Sequence, residues 1–176
     1  MDPEFWVAVA AVLLSTVALV RGELHQRRRL SQDAQVRAVD KAIEALQPVR
    51  LLLEHADTRL PSPSEIGDVM RAFEGEYQRW EPTLPPGAKH LRISVRQALA
   101  NCFGPPAAIA VDPEAESRPM RPFDRYWWDL AHTYIEHALH SLGAWQVQER
   151  RQPIRLPHFA QWRKEEDDLH GRVQNG

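Results

Sequence analysis

Residues 5–20 carry no charge, and beyond them the apolar positions fall into helical periods. The uncharged run reads Phe-Trp-Val-Ala-Val-Ala-Ala-Val-Leu-Leu-Ser-Thr-Val-Ala-Leu-Val. A helix built from it is apolar on every side and leaves no face for water. Such a helix rises about 24 Å, slightly short of the ~30 Å hydrocarbon core of a bilayer. Snorkelling by Arg21 and local thinning of the bilayer close that gap. Nine of the residues are Leu, Val or Phe, which favours insertion by roughly 3 to 5 kcal/mol before Ser15 and Thr16 subtract from it. Phe5, Trp6, Leu13, Leu14 and Val20 mark the expected span, with the Trp6 indole at the interface. Three other readings compete; in one, residues 1–5 are a cloning remnant, the true start lies near Trp6 and the anchor survives. A cleaved signal peptide needs a basic start and a small-residue cleavage site, whereas the chain opens Met-Asp-Pro-Glu and the run ends Leu19, Val20, Arg21. A buried core helix is the plainer alternative for a run this short.

Residues 31–60 predict a second helix, with Ser31 and Asp33 as caps and Gly22 as the one breaker before it. Val36, Val39, Ile43, Leu46 and Leu53 recur at heptad-like spacing, and Arg50 fills the vacant position. That seam fits one helix of an intramolecular bundle or, alternatively, a homodimer; Pro48 should bend it. After a proline–serine linker at 60–64, with Ser62 or Ser64 as cap, Ile66, Val69, Met70, Phe73, Tyr77 and Trp80 form an apolar stripe. In the third helix, 89–103, Leu91, Val95, Ala98, Leu99 and Cys102 face in and Arg92, Arg96 and Gln97 face out, until Gly104, Pro105 and Pro106 end it. Residues 107–111 leave strand, turn and loop open, and 112–119 read as an exposed loop. The longest soluble helix covers 123–152, with Pro122 at its first turn. Trp127, Leu130, Tyr134, Ile135, Ala138, Leu142 and Trp145 lie on its core side, and Glu149, Arg150 and Arg151 close it. A last helix over 157–169 brings Phe159 and Trp162.

The expected fold is therefore all-α: a single N-terminal transmembrane helix followed by a small helical bundle of four or five helices. Residues 1–21 are the anchor, 22–30 a basic juxtamembrane segment, 31–170 the bundle and 171–176 a frayed tail. Charge orients it. Every Lys and Arg follows the span, with Arg21, Arg27, Arg28 and Arg29 close to its end, while Asp2 and Glu4 precede it. Basic flanks stay inside, which places the N-terminus outside and the C-terminal domain in the cytoplasm, single-pass. The same arginines favour anionic membrane lipid.

Composition narrows the function. A net charge of −2 supplies no broad basic field for nucleic acid. A single cysteine, Cys102, forms no internal disulfide, and on an apolar helix face it reads as a buried, inert thiol. The sequence has no phosphate-binding glycine loop, Cys-x-x-Cys pair, His-Glu-x-x-His or nucleophile elbow, so no cofactor is expected and an enzyme is disfavoured. The expected role is an interaction module tethered at the bilayer, with a protein as partner. The alternative is a metal-dependent helical enzyme using His132 and Glu136. Asp129, His132, Glu136, His137 and His140 crowd the long helix, and three of them repeat every fourth residue. His132 and His140 lie about 12 Å apart along the axis, too far for one ion. The helix thus offers one chelating pair, with other ligands to come from elsewhere. A plain solvated face explains the same pattern, and His25, His55, His90 and His158 are scattered singly.

Overall fold

Between the uncharged run and the heptad-like seam only Gly22 opposes helix, and the helix runs straight through it. In the computed structural model the backbone is described for residues 3–148 and 153–174. Side chains are described at 21, 23, 26–27, 30–115, 117–148 and 153–168. Helix α1 extends unbroken from Pro3–Ala56, so the expected fresh start at Ser31 or Asp33 does not occur. One glycine costs up to about 1 kcal/mol in a helix, less than ending one helix and nucleating another. Just after Gly22, Glu23 and Arg27 pair at 2.6 Å with i,i+4 spacing.

The chain forms two compact units, Met1–Arg37 and Ala38–Gly176. In the first, α1 from Pro3 onward is the whole of the described structure. Arg21 and Arg27 are exposed there, whereas the side chains of Phe5, Trp6, Leu13, Leu14, Val20, Arg28 and Arg29 lie outside the described residues. Among the described residues no helix is long and apolar enough to cross a membrane, so the expected span finds no support there.

The second unit is a bundle. Val39, Leu46 and Leu53 of the seam are buried in its core, joined by Ala42 and Val49. Helix α2 spans Pro63–Trp80 and starts from a capping box: Ser62 Oγ accepts from Glu65 N–H at 3.2 Å, and the Glu65 carboxylate accepts from Ser62 N–H at 2.6 Å. That backbone bond, with Arg59 beside it, holds the Glu65 carboxyl down to about 2. Ile66, Met70, Phe73 and Tyr77 point inward as the stripe predicts, while Val69 and Trp80 are half-buried.

A 3-10 turn, Pro86–Ala88, receives the Tyr77 hydroxyl on the Ala88 carbonyl. A Cβ at Gly87 would sit 2.0 Å from the Ile154 carbonyl oxygen, so glycine alone lets the chain near 154 lie this close. Helix α3, Leu91–Phe103, packs against α2 and against the two later helices. Its apolar face is the expected one, but Arg92 and Arg96 do not face out. They close on Glu74 of α2, whose side chain is 6% exposed. Arg96 Nε donates to Glu74 Oε1 at 2.6 Å and its Nη2 to Oε2, while Arg92 bridges to Glu81 at 3.1 Å. A carboxylate buried on α2 requires cations, and the nearest face able to supply them is that of α3.

Gly104 ends α3 at φ 86°, in the region that favours glycine, and Arg121 N–H bonds the Phe103 carbonyl behind it. No strand forms among the described residues between 107 and 121. Instead, 3-10 turns cover Pro105–Ala108 and Pro113–Ser117, and the expected exposed loop buries Ala115. Helix α4, Arg125–Val147, starts from Asp124, whose Oδ1 accepts from Tyr126 N–H at 2.9 Å; Pro122 stays outside it. Glu149, Arg150 and Arg151 lie outside the described residues. Helix α5, Phe159–Gln174, begins later than expected and continues through much of the predicted tail. The architecture is all-α, with five α-helices and no strand among the described residues.

Candidate functional site

The polar stripe of α4 flanks the helix face that is buried in the bundle. The apolar pattern selects Trp127, yet Trp127 is half-buried and Trp128 is inside. The other six residues expected on the core side are buried, and within the stripe His132 and Glu136 are half-buried while Asp129 and His140 are exposed. His132 follows Trp128 by one turn and stacks on its indole at 5.3 Å and 11°. Trp128 Nε1 donates to the Leu53 carbonyl at 2.8 Å and fixes that stack against α1. Arg125 bonds Asp57 at 2.5 Å, and Gln146 bonds Asp40. Ascending positions on α1 thus meet descending ones on α4, and the two helices run antiparallel.

This packing brings Glu54 of α1 to His132 and Glu136 of α4. One potential ligand atom from each lies within 4.8 Å of the others. A single point therefore exists within about 2.8 Å of all three atoms, and a shift of under about 1 Å per donor reaches the ~2.1 Å of a metal–ligand bond. His132 and Glu136 are the pair that the i,i+4 spacing offers for chelation, and Glu54 is a third potential donor that the sequence left unnamed. A signal for it exists: Arg50 interrupts the seam, and Glu54 follows it by four residues on the same face.

Arg50 takes part. Its Nε lies 3.4 Å from Glu54 Oε1 and 3.8 Å from Glu136 Oε1. Among the described residues no hydrogen-bond partner reaches that buried Nε. The guanidinium balances the carboxylates by charge rather than by directed bonds. The cluster is half-open, with side-chain exposures of 39% for Glu54 and 42% for Glu136.

Other predicted residues go elsewhere. Asp129 is exposed and pairs with Arg125 at 3.3 Å. His140 is exposed and does not join the cluster. His137 turns to α5 and stacks on Trp162 at 4.7 Å; burial, then the nearby His140, lowers its pKa below the ordinary 6.5. His90 and His158 stack at 3.9 Å where α5 begins. His55 is exposed, and the side chain of His25 lies outside the described residues. Burial pushes the Cys102 thiol up to about 12, which makes it a poor nucleophile.

A groove of about 390 Å³ opens where α1 ends and α2 starts. Pro48, Leu51, Leu52, Pro61 and Val69 make it mainly apolar, and Arg59, Glu65 and Asp68 rim it. Leu51 is 44% exposed there. In comparisons with known protein families, curated proteins and solved structures, nothing matches this chain.

Proposed function

We propose that the chain is a bilayer-tethered helical interaction module, crossing the membrane once through residues 5–20. Its N-terminus lies outside, and the unit Ala38–Gly176 stands at the cytoplasmic face, where it presents a surface to a protein partner. The observation that carries this reading is the uncharged run inside an unbroken helix, followed at once by Arg21, Arg27, Arg28 and Arg29. The groove around Leu51 supports the second half of the reading, since an apolar floor with a charged rim suits a partner's apolar side chain.

Sedimentation tests the tether. The full chain should pellet with membranes, resist alkaline carbonate and dissolve in detergent. A chain lacking residues 1–21 should stay in the supernatant. Full-length protein found in the supernatant without detergent overturns the proposal. Crosslinking in isolated membranes tests the partner: Leu51→Glu should remove a crosslinked band that the wild type gives, while sedimentation is unchanged.

A further inference from the structure

We infer that Glu54, His132 and Glu136 form a binding site for a first-row divalent metal ion, with Arg50 as the charge that the ion displaces. This inference stands apart from the tether and rests on the packing of α1 against α4. The donor set is two carboxylate oxygens and one imidazole nitrogen, within 4.8 Å of one another. Imidazole disfavours Mg²⁺ and Ca²⁺, which prefer oxygen alone, and the mixed set suits Zn²⁺, Mn²⁺ or Fe²⁺. Three protein ligands on a half-open surface leave at least one coordination position for water or substrate, the arrangement that Zn²⁺ uses when it acts as a Lewis acid.

Two further features separate this cluster from an ordinary patch of surface acids. The imidazole is braced: His132 lies flat on Trp128, and Trp128 is tied to the carbonyl of Leu53, the residue before Glu54. The bond that orients the histidine thus also sets the height of α1 against it, as an outer shell of a metal site does. The cluster also already holds a cation without coordinating it. Arg50 Nε is buried between the two carboxylates, and among the described residues it has no hydrogen-bond partner. An ion that bonds the oxygens directly recovers interactions that the guanidinium leaves unmade. Arg50 is 35% exposed, so its head group can swing to water when the ion enters. His140 stays outside the set, two turns beyond His132.

Calorimetric titration of the full chain in detergent with Zn²⁺ is the test, with Co²⁺ visible absorption to report coordination geometry. One Zn²⁺ per chain is expected. Glu54→Gln, Glu136→Gln and His132→Gln should each weaken binding by at least about 100-fold, since loss of an outer-shell partner alone costs 10- to 100-fold. His137→Gln and His140→Gln should leave it unchanged. Arg50→Ala should tighten binding roughly tenfold by removing a competing charge. Circular dichroism confirms that each variant is folded, and Arg50→Ala is the variant whose gain no folding defect can mimic. Absence of binding, equal affinity in the Glu54→Gln variant, or unchanged or weaker binding in Arg50→Ala overturns the proposal.

Discussion

Two clusters in the second unit combine carboxylates with arginine, and they are finished to different degrees. At the α2–α3 contact, Glu74 is 6% exposed and is gripped by Arg96 through two parallel hydrogen bonds, with Arg92 beside it. At the α1–α4 contact, Glu54 and Glu136 are about two-fifths exposed and Arg50 reaches them at 3.4 and 3.8 Å without a hydrogen bond. The first is closed by directed bonds between its two helices. Among the described residues no directed bond reaches the carboxylates or the imidazole of the second, which leaves potential donor atoms exposed to solvent. Burial explains the contrast. A carboxylate removed from water needs hydrogen-bonded, charged partners in the protein, whereas one at the rim completes its shell with solvent.

Breaking the finished cluster should cost most. Arg96→Ala leaves Glu74 buried with only Arg92 near it, and urea unfolding should show a loss of about 3 kcal/mol. Replacing both partners together, Glu74→Leu with Arg96→Met, should be far milder; equal damage from the single and double changes would show that the pair is not what matters there. Trp128→Phe tests the brace between α1 and α4. It substitutes a smaller aromatic ring and removes the bond to Leu53, and the same assay should show a loss of at least about 1 to 2 kcal/mol from the bond and the lost packing together.

Acid should loosen the packed side rather than the open one. The Leu156 carbonyl can only accept, so His90 Nε2 donates to it and Nδ1 accepts from the Ser94 hydroxyl, which in turn accepts from Phe159 N–H. Burial, and then His158, lowers the His90 pKa below its ordinary 6.5, and burial does the same to His137. Just below that pH the folded chain binds fewer protons than the unfolded one. The contribution is fully present above about 6.5 and drains away as pH falls through it. The melting temperature should therefore drop between pH about 7.5 and about 5.5, and His90→Gln should flatten that slope. A melting temperature that rises on acidification would contradict the neutral imidazole. The smallest effect belongs to the open cluster. Glu136→Gln should change stability by less than about 1 kcal/mol, since a half-exposed pair contributes little. A loss comparable to that of Arg96→Ala would erase the distinction between the two clusters.

Several elements were legible in the chain because they depend on neighbours in sequence. The cap before α2 was narrowed to Ser62 or Ser64 by residue type alone, and the apolar faces of α2 and α3 need only the helical period. Trp127 and Trp128 show where that legibility stops. Both are large and apolar, and one step around the helix separates them, so only the partner helix chooses between them. The other six residues expected on the core side of α4 are buried, and His132 and Glu136 flank that side where α1 brings Glu54 to them. Arg92 and Arg96 were misplaced for a related reason: a charged residue on a helix normally faces water, and only the buried carboxylate of Glu74 makes the inward orientation favourable.

By itself the sequence determined the all-α class, the uncharged run at 5–20, the spacing of His132 and Glu136, a cap at Ser62 or Ser64 and the break at Gly104. Each follows from local backbone preference or from a period along one helix. Tertiary structure alone decided that Glu54 meets His132 and Glu136, that Glu74 is closed by two arginines, and that α5 rests on stacked histidines. Those arrangements join residues far apart in the chain. The reason is geometric: periodicity tells which face of a helix is apolar, but the rotation and height at which two helices meet emerge only when both are packed.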